Sequence, residues 1–167
     1  LRDRLKGHFY VVFPKIVNKT VSVDGTTKYL FQLEDGENIE SVWIPDSQRK
    51  TLCISTQVGC RLGCSFCLTA TLGLKRNLTS AEIVGQYMAV NLDLPETDRV
   101  TNVVVMGMGE PLDNYGPLTD ALHLMVSPEG LRISNRRVTL STSGLVDKIK
   151  KYQTEDLQVN LAISLNA

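Results

Sequence analysis

Three cysteines lie close together in the sequence, at Cys60, Cys64 and Cys67, with the spacing C-x3-C-x2-C. Thiolates on one short loop can ligate three irons of a [4Fe–4S] cube and leave the fourth iron without a protein ligand. Such an iron can bind the amino and carboxylate groups of S-adenosylmethionine and pass it one electron. The spacing therefore predicts an iron–sulfur site that starts radical chemistry.

Other uses of clustered cysteines stay open at this point. A structural zinc site takes four protein ligands, but the remaining cysteine, Cys53, lies seven residues upstream and the two histidines, His8 and His123, lie far off. Structural disulfides are disfavoured by the tight spacing and by the lack of a signal peptide. A noncatalytic iron–sulfur electron carrier and a zinc-binding module are therefore the alternatives from another class, and metal analysis separates them.

Polar residues follow several apolar, strand-like runs. The run 103–106 leads into Gly-Met-Gly-Glu-Pro at 107–111, where glycines permit a ligand to approach closely and Glu110 can accept hydrogen bonds from an ammonium group. Later runs end in the polar segments 139–144 and 164–166. Strand-end turns use the same residue types. Polar residues at successive strand ends are also what an active site at the mouth of a (β/α) barrel requires.

The elements that must position these residues alternate between strands and helices from residue 51 onward. Apolar runs predict strands at 51–56, 100–106, 137–142 and 158–165, and the segments between them predict helices at about 79–92, 117–126 and 144–151. Such alternation predicts parallel strands with crossover helices. The predicted fold class is α/β, with about four parallel β/α units that form part of a (β/α) barrel.

A small antiparallel β meander is predicted before this barrel part. Residues 20–45 hold three alternating runs, separated by Asp24-Gly25 and by a turn at 34–37, and Asp-Gly between alternating apolar runs is a strong hairpin signal. We expect an N-terminal segment with the meander at 1–48 and half of the barrel at 49–167. The chain has no initiator Met and stops after an apolar run, so we also expect a piece of a longer protein.

Composition and charge narrow the class of protein. Of the 167 residues, 43% are hydrophobic, enough for a core, and no apolar run reaches the ~18–20 residues that a membrane span needs. We expect no membrane association and a reducing cytoplasm, which suits four cysteines without obvious pairing. Net charge is zero, so global charge predicts no polyanion partner. Grouped basic residues could still contact phosphates or form a solvated face: Lys75-Arg76, Arg132, Arg136-Arg137, Lys148, Lys150 and Lys151.

Two residues outside the triplet have unremarkable interpretations when they are taken alone. Cys53 lies on the predicted strand that leads to the triplet, and its residue type favours a small buried hydrophobe. Glu40 lies in the last strand of the predicted meander. A solvated carboxylate that faces outward is the default interpretation there.

Several longer motifs occur in one order along the chain: Cys53-Ile-Ser-Thr-Gln-Val-Gly-Cys60, Cys60-x3-Cys64-x2-Cys67, Lys75-Arg-Asn-Leu-Thr79, Gly107-Met-Gly-Glu-Pro-Leu112, Arg137-Val-Thr-Leu-Ser-Thr-Ser-Gly144 and Leu161-Ala-Ile-Ser-Leu165. With these motifs the chain resembles the RlmN/Cfr family of radical S-adenosylmethionine RNA methyltransferases. The resemblance runs from about residue 1 to the end, and several motifs in one order are far more specific than the triplet alone.

The resemblance implies a role for individual residues. Cys60, Cys64 and Cys67 would ligate the [4Fe–4S] cluster. The positions that contact S-adenosylmethionine in the family correspond to Gly109, Glu110, Ser141, Ser164, Leu165 and Asn166. Cys53 corresponds to a second catalytic cysteine, which resolves a covalent enzyme–RNA adduct by forming a disulfide, and Glu40 corresponds to the proton acceptor. The resemblance thus reverses the interpretation of Cys53 and of Glu40.

The resemblance also implies substrates and partners. An adenosine in the peptidyl-transferase centre of 23S rRNA and the adenosine 3′ of the anticodon in tRNA would be methylated at C2, after being flipped out of the RNA stack. A Cfr-like enzyme that methylates C8 and confers antibiotic resistance is the alternative within the class. An electron donor such as flavodoxin and a monomeric state are expected.

Two departures from the family pattern bear on these expectations. The cysteine that carries the methyl group in the family lies far downstream, and no candidate for it occurs up to Ala167, so we expect that this piece alone cannot methylate RNA. The family has His after Ser-Leu in the fourth strand, where this chain has Asn166. An amide keeps hydrogen-bonding capacity but cannot carry a proton.

Overall fold

The structure is a computed structural model, which describes residues 13–165. Within that range, the strands are β1 (Lys15–Val21), β2 (Thr27–Gln32), β3 (Asn38–Pro45), β4 (Lys50–Ile54), β5 (Gln57–Gly59), β6 (Leu74–Asn77), β7 (Asn102–Val105), β8 (Val138–Thr142) and β9 (Asn160–Ile163). The α-helices are α1 (Leu68–Thr71), α2 (Ser80–Asp93), α3 (Tyr115–Val126) and α4 (Val146–Tyr152). No helix of this part of the chain has the length and apolar character needed to cross a membrane.

The antiparallel meander is confirmed. Strands β1, β2 and β3 pair in order, and both Asp-Gly turns have glycines with positive φ, at Gly25 and Gly36. The Asp24 carboxylate accepts a hydrogen bond from the Thr26 amide at 3.0 Å, which closes the first turn as an aspartate turn does. The first strand begins at Lys15, several residues before the predicted start, because its polar side chains gave no alternating pattern.

The predicted parallel strands also occur. Strands β4, β7, β8 and β9 lie side by side and pair in parallel. Strand β3 pairs antiparallel with β4, so the meander and the parallel strands form one seven-stranded sheet in the order β1-β2-β3-β4-β7-β8-β9. The sheet thus places the carboxyl ends of four parallel strands at one edge. The domain division after residue 48 stays a prediction.

Helices α2 and α3 cover one face of the sheet. Helix α2 begins with a capping box, in which the Thr79 hydroxyl accepts from the Glu82 amide and the Glu82 carboxylate accepts from the Thr79 amide at 2.8 Å. Apolar residues of the two helices are buried in one core with the sheet, including Ile83, Val90, Leu118, Leu122 and Met125. The helices therefore fix which face of each strand is buried.

The opposite face of the sheet is less covered. Because paired strand residues project to the same side, a row runs through Val42, Cys53, Val104 and Thr139, all of them half-buried. The neighbouring row, which includes Leu52 and Val103, is fully buried beneath the helices. Cys53 therefore lies on the open side of the sheet.

A short hairpin, which the sequence did not predict, carries the cysteine triplet. The predicted strand 51–56 ends early, because β4 stops at Ile54 and the chain starts a separate pairing of β5 with β6. The triplet lies in the loop that joins the two strands. Gly59 has φ +78° and a Cβ there would lie 1.7 Å from the Gly73 carbonyl oxygen, so only glycine allows the hairpin to close before Cys60.

Candidate functional site

One cavity of about 190 Å³ lies where the cysteine loop meets the carboxyl ends of β7, β8 and β9. The residues that line it include Cys60, Cys64, Cys67, Glu110, Ser141 and Ser164. The structure therefore brings the predicted metal ligands together with most of the predicted S-adenosylmethionine residues. These groups come from four separate regions of the chain.

The triplet supplies sulfur ligands to one wall of this cavity. All four cysteines are free thiols, and Cys60 is buried while Cys64 and Cys67 are half-buried. A hydrogen bond from the Cys67 amide to the Cys64 carbonyl at 3.0 Å turns the loop between them. Among residues 13–165, no three His, Cys, Asp or Glu side chains already converge as a metal site. Three thiols on one loop nevertheless match the donor set of an iron–sulfur cluster, and metal binding orders such ligands.

Glu110 is the charged group of the opposite wall. It is 4% exposed, and its carboxylate accepts hydrogen bonds from the Thr142 hydroxyl at 2.6 Å, the Ser143 amide at 2.9 Å and the Leu112 amide at 3.1 Å. No ion pair joins it to a basic side chain of residues 13–165. Because a buried charge without a counter-charge is costly, this carboxylate suits a cationic ligand group such as an ammonium.

Two serines complete the polar lining. The hydroxyls of Ser141 and Ser164 lie 2.9 Å apart, and the Ser164 amide donates to the Thr142 carbonyl, which extends the pairing of β8 with β9. Leu165 is 88% exposed and does not line the cavity. Asn166 lies outside the described residues. Four of the six residues predicted to contact S-adenosylmethionine therefore line the same cavity: Gly109, Glu110, Ser141 and Ser164.

The two glycines of 107–111 allow the loop to approach the cysteine hairpin closely. A Cβ at Gly107 would lie 2.7 Å from the Ile54 carbonyl oxygen, and one at Gly109, where φ is +98°, would lie 2.5 Å from the Cβ of Gln57. Backbone contacts follow from this approach, since the amides of Thr56 and Gln57 both donate to the Met108 carbonyl. The Glu110 loop and the start of β5 are therefore held as one unit.

Cys53 lies beside the cavity and does not line it. Burial raises the pKa of its thiol above the ordinary value, and a backbone hydrogen bond from Met106 lowers it only in part. Met106 itself lines the cavity. Cys53 is therefore one residue away from the cavity wall and is held mainly as a neutral thiol at neutral pH.

Glu40 lies on the same face of the sheet as Cys53. It is two residues from Val42, which pairs with Cys53, and its backbone carbonyl accepts from the Ser55 hydroxyl at 2.5 Å. Its carboxylate forms an ion pair with Lys28 at 2.9 Å and is partly exposed. Glu40 is thus two residues along β3 from the strand partner of Cys53, but it does not line the cavity that the triplet lines.

Several residues that form hydrogen bonds to the loops of this site were not predicted from the sequence. Thr142 and Ser143 anchor Glu110, and they were visible only as part of the polar segment 139–144. Gln57 and Asn114 are fully buried amides that hydrogen-bond the loops of the site. In the sequence, Gln57 was visible only as one residue of the motif Cys53-Ile-Ser-Thr-Gln-Val-Gly-Cys60.

Fold and site together define the class of protein. A family model of the radical SAM superfamily matches residues 54–167, and the chain belongs to this superfamily. The fold is similar to a solved radical SAM methyltransferase from Sphaerobacter thermophilus, with a TM-score of 0.92 and 42% identity, over 99% of this chain and 49% of that chain.

Within the superfamily, the chain is similar to curated proteins named dual-specificity RNA methyltransferase RlmN. The protein from Pelobacter propionicus is 53% identical over 169 residues, which cover 100% of this chain and 47% of that protein. A probable RlmN from Aquifex aeolicus is 49% identical, over 99% of this chain and 48% of that protein. The resemblance seen in the sequence motifs is confirmed. The chain spans about half the length of the curated relatives it matches.

Proposed function

We propose that this chain provides the cluster-binding and S-adenosylmethionine-binding part of a radical SAM RNA methyltransferase. The enzyme would methylate C2 of an adenosine in the peptidyl-transferase centre of 23S rRNA and C2 of the adenosine 3′ of the anticodon in tRNA. The observation that carries the proposal is the shared cavity, which unites three thiols with a buried carboxylate that has no cationic partner in residues 13–165. The similarity to proteins named RlmN supports the RNA substrates.

Each wall of the cavity would have a separate task. Cys60, Cys64 and Cys67 would hold a [4Fe–4S] cluster, which supplies the electron that activates S-adenosylmethionine when both are bound. Glu110 would accept hydrogen bonds from the amino group of S-adenosylmethionine, and the Ser141 and Ser164 hydroxyls would donate to its polar atoms. Leu165 and Asn166 keep their proposed contact roles from the family pattern.

Cys53 and Glu40 would complete the reaction on the open face of the sheet. In the family pattern the methyl-carrying cysteine lies far downstream, and its carbon would already be bonded to C2 of the base when Cys53 attacks its sulfur. The S–S bond would form as the S–C bond breaks, and the thiol proton of Cys53 would pass to the released carbon, which becomes the new methyl group. Glu40 would accept the C2 proton. Its ion pair with Lys28 is exposed, and such pairs contribute only about 0–1 kcal/mol, so a substrate can displace the lysine.

The basic groups differ in how free they are to contact RNA. Lys75 pairs with Glu37 at 2.8 Å, and Arg76 pairs with Asp35 and Glu82, so these two cations stabilise the fold around the hairpin. Within residues 13–165, no ion pair joins Arg132, Arg136 or Arg137 to an acid. The same holds for Lys148, Lys150 and Lys151, and these six cations are the proposed phosphate contacts. An electron donor such as flavodoxin, a monomeric state and a cytoplasmic location complete the proposal.

The test uses a protein that contains this chain and has the full length of the relatives. Its iron–sulfur cluster is reconstituted under anaerobic conditions. We expect about four irons per chain, 5′-deoxyadenosine after chemical reduction, and 2-methyladenosine in 23S rRNA and tRNA by mass spectrometry. Cys64→Ser should lose the iron, and Cys53→Ala should retain the iron and trap a protein–RNA adduct. Stoichiometric zinc without 5′-deoxyadenosine would overturn the radical mechanism, and 8-methyladenosine as the product would replace C2 by C8.

A further inference from the structure

Gln57 is a fully buried glutamine, and both its side-chain oxygen and its side-chain nitrogen form hydrogen bonds. Its Oε1 accepts a hydrogen bond from the Glu110 amide at 2.9 Å. Its Nε2 donates to Asn77 Oδ1 at 2.8 Å and to Asp113 Oδ2 at 2.9 Å. A buried amide is stable only when such partners are present, because each unsatisfied polar atom carries a desolvation cost.

These partners belong to the two halves of the proposed site. Gln57 is the first residue of β5 and lies three residues before Cys60. Glu110 lies on the other wall of the cavity, and Asp113 follows it in the chain. Asp113 also forms an ion pair with Arg61, the residue after Cys60, at 2.8 Å. The side chain of Gln57 is therefore a direct connection between the cysteine hairpin and the Glu110 loop.

We propose that Gln57 is a positioning residue, which fixes the Glu110 carboxylate relative to the cysteine triplet and so sets the affinity for S-adenosylmethionine. This inference rests on the proposed function. A role in filling space alone would be served by an apolar side chain of the same size. Both polar atoms of the Gln57 side chain instead form hydrogen bonds. Its Oε1 accepts from the backbone amide of Glu110, the residue that carries the buried carboxylate.

Gln57→Met keeps the length of the side chain and removes every one of these hydrogen bonds. The Glu110 amide then lacks its acceptor, so hydrogen exchange at this amide should accelerate in the protein without cluster or ligand. We expect an unchanged iron content, because the three cysteines stay in place. The Kd for S-adenosylmethionine should rise about tenfold, which corresponds to about 1.4 kcal/mol, measured by the ligand-dependent change in the electron paramagnetic resonance of the reduced cluster.

Asn91 offers a matched control at the other end of the strands. Its Oδ1 accepts from the Val100 amide at 2.9 Å and its Nδ2 donates to the Tyr87 carbonyl at 2.9 Å, so it joins a helix to a loop as Gln57 joins a hairpin to a loop. Asn91→Leu should also lower the denaturant midpoint, but by less than Gln57→Met, because Asn91 is only half-buried. It should leave the Kd for S-adenosylmethionine and the exchange of the Glu110 amide unchanged.

A second variant separates positioning from simple loss of packing. In Gln57→Glu, the introduced carboxyl faces Asp113 and lies near Glu110 and Arg61. When protonated it reproduces the acceptor and one donor of the glutamine, and when ionised it repels Asp113. The ratio of the variant's Kd to the wild-type Kd should therefore be larger at a pH where the introduced carboxyl is ionised than at a lower pH where it is protonated.

The outcomes distinguish this inference from the function on which it rests. If the wild-type protein binds S-adenosylmethionine and Gln57→Met binds it with the same Kd at full iron content, the positioning role is overturned. The proposed function would still stand. A pH-independent ratio for Gln57→Glu would also overturn the positioning role alone. A wild-type protein that takes up iron but shows no response to S-adenosylmethionine would overturn the proposed function, and the positioning role with it.

Discussion

The hydrogen bond between Thr142 and Glu110 gives a quantitative test of the site's construction. Thr142 is 2% exposed, and its hydroxyl donates to Glu110 Oε1 at 2.6 Å and accepts from the Gly144 amide at 3.1 Å. Thr142→Val keeps the shape of the side chain and removes both bonds. A hydrogen bond to a charged group contributes about 1.5–3 kcal/mol, and the orphaned Gly144 amide adds to the loss. We expect the free energy of unfolding to fall by about 2–4 kcal/mol.

Thr119 provides the matched control. It is 8% exposed, and its hydroxyl donates only to carbonyl oxygens of its own helix, those of Gly116 at 2.9 Å and Tyr115 at 3.1 Å. Such bonds to a preceding turn contribute little to helix stability. Thr119→Val removes the same hydroxyl from another buried position, and we expect the free energy of unfolding to fall by less than about 1 kcal/mol.

Urea unfolding of both variants, followed by circular dichroism, measures the difference. The slope of free energy against urea should stay the same, so that the change in midpoint reports stability alone. The same preparations should show weaker binding of S-adenosylmethionine for Thr142→Val only, because that hydroxyl orients the Glu110 carboxylate. Equal losses of stability in the two variants would refute the claim that a charged, buried acceptor makes the Thr142 bond strong.

Three further predictions concern a helix cap and two titratable groups. Thr79→Ala should lower the free energy of unfolding by about 1 kcal/mol in the same urea assay, since it removes the cap of α2. Alkylation of Cys53, followed by mass spectrometry of its peptide, should keep accelerating through pH 9, because burial raises the pKa of this thiol above 9.0; a plateau below pH 9 would contradict this. Burial pushes the pKa of Glu82 up, but hydrogen bonds from Arg76 and Thr79 outweigh it and lower the pKa below 4.5. Stability from the pair of Arg76 and Glu82 is therefore present above about pH 4.5 and lost as the pH falls further, and Arg76→Met should reduce this acid dependence of the urea midpoint, since only the Thr79 hydrogen bonds then lower the pKa of Glu82.

The elements that the sequence predicted well are those with local signals. The Asp-Gly turns marked the meander, the spacing of Thr79 and Glu82 marked the start of α2, and the apolar run at 103–106 marked a buried parallel strand. In each case the signal and the structure that it specifies lie within a few residues of each other. Local chemistry alone therefore fixes these elements.

The elements that the sequence did not reveal depend on contacts between distant residues. Strand β5 has only three residues, and its partner β6 follows the whole cysteine loop, so no periodicity marks the hairpin. The connection from Gln57 to Glu110 spans 53 positions. That Glu40 and Cys53 share a face follows from the register of β3 against β4, which a one-residue slip would reverse.

The two faces of the sheet explain how one small region can hold two proposed tasks. The face beneath α2 and α3 is sealed by apolar side chains, so chemistry can occur only at the strand ends or on the open face. The cavity with Glu110 occupies the strand ends, and Cys53 occupies the open face directly beside it. Met106 belongs to both, since it lines the cavity and its backbone hydrogen-bonds Cys53. A base held against Cys53 would therefore lie next to a ligand held by Glu110, and the proposed transfer through a methyl-carrying cysteine requires that proximity.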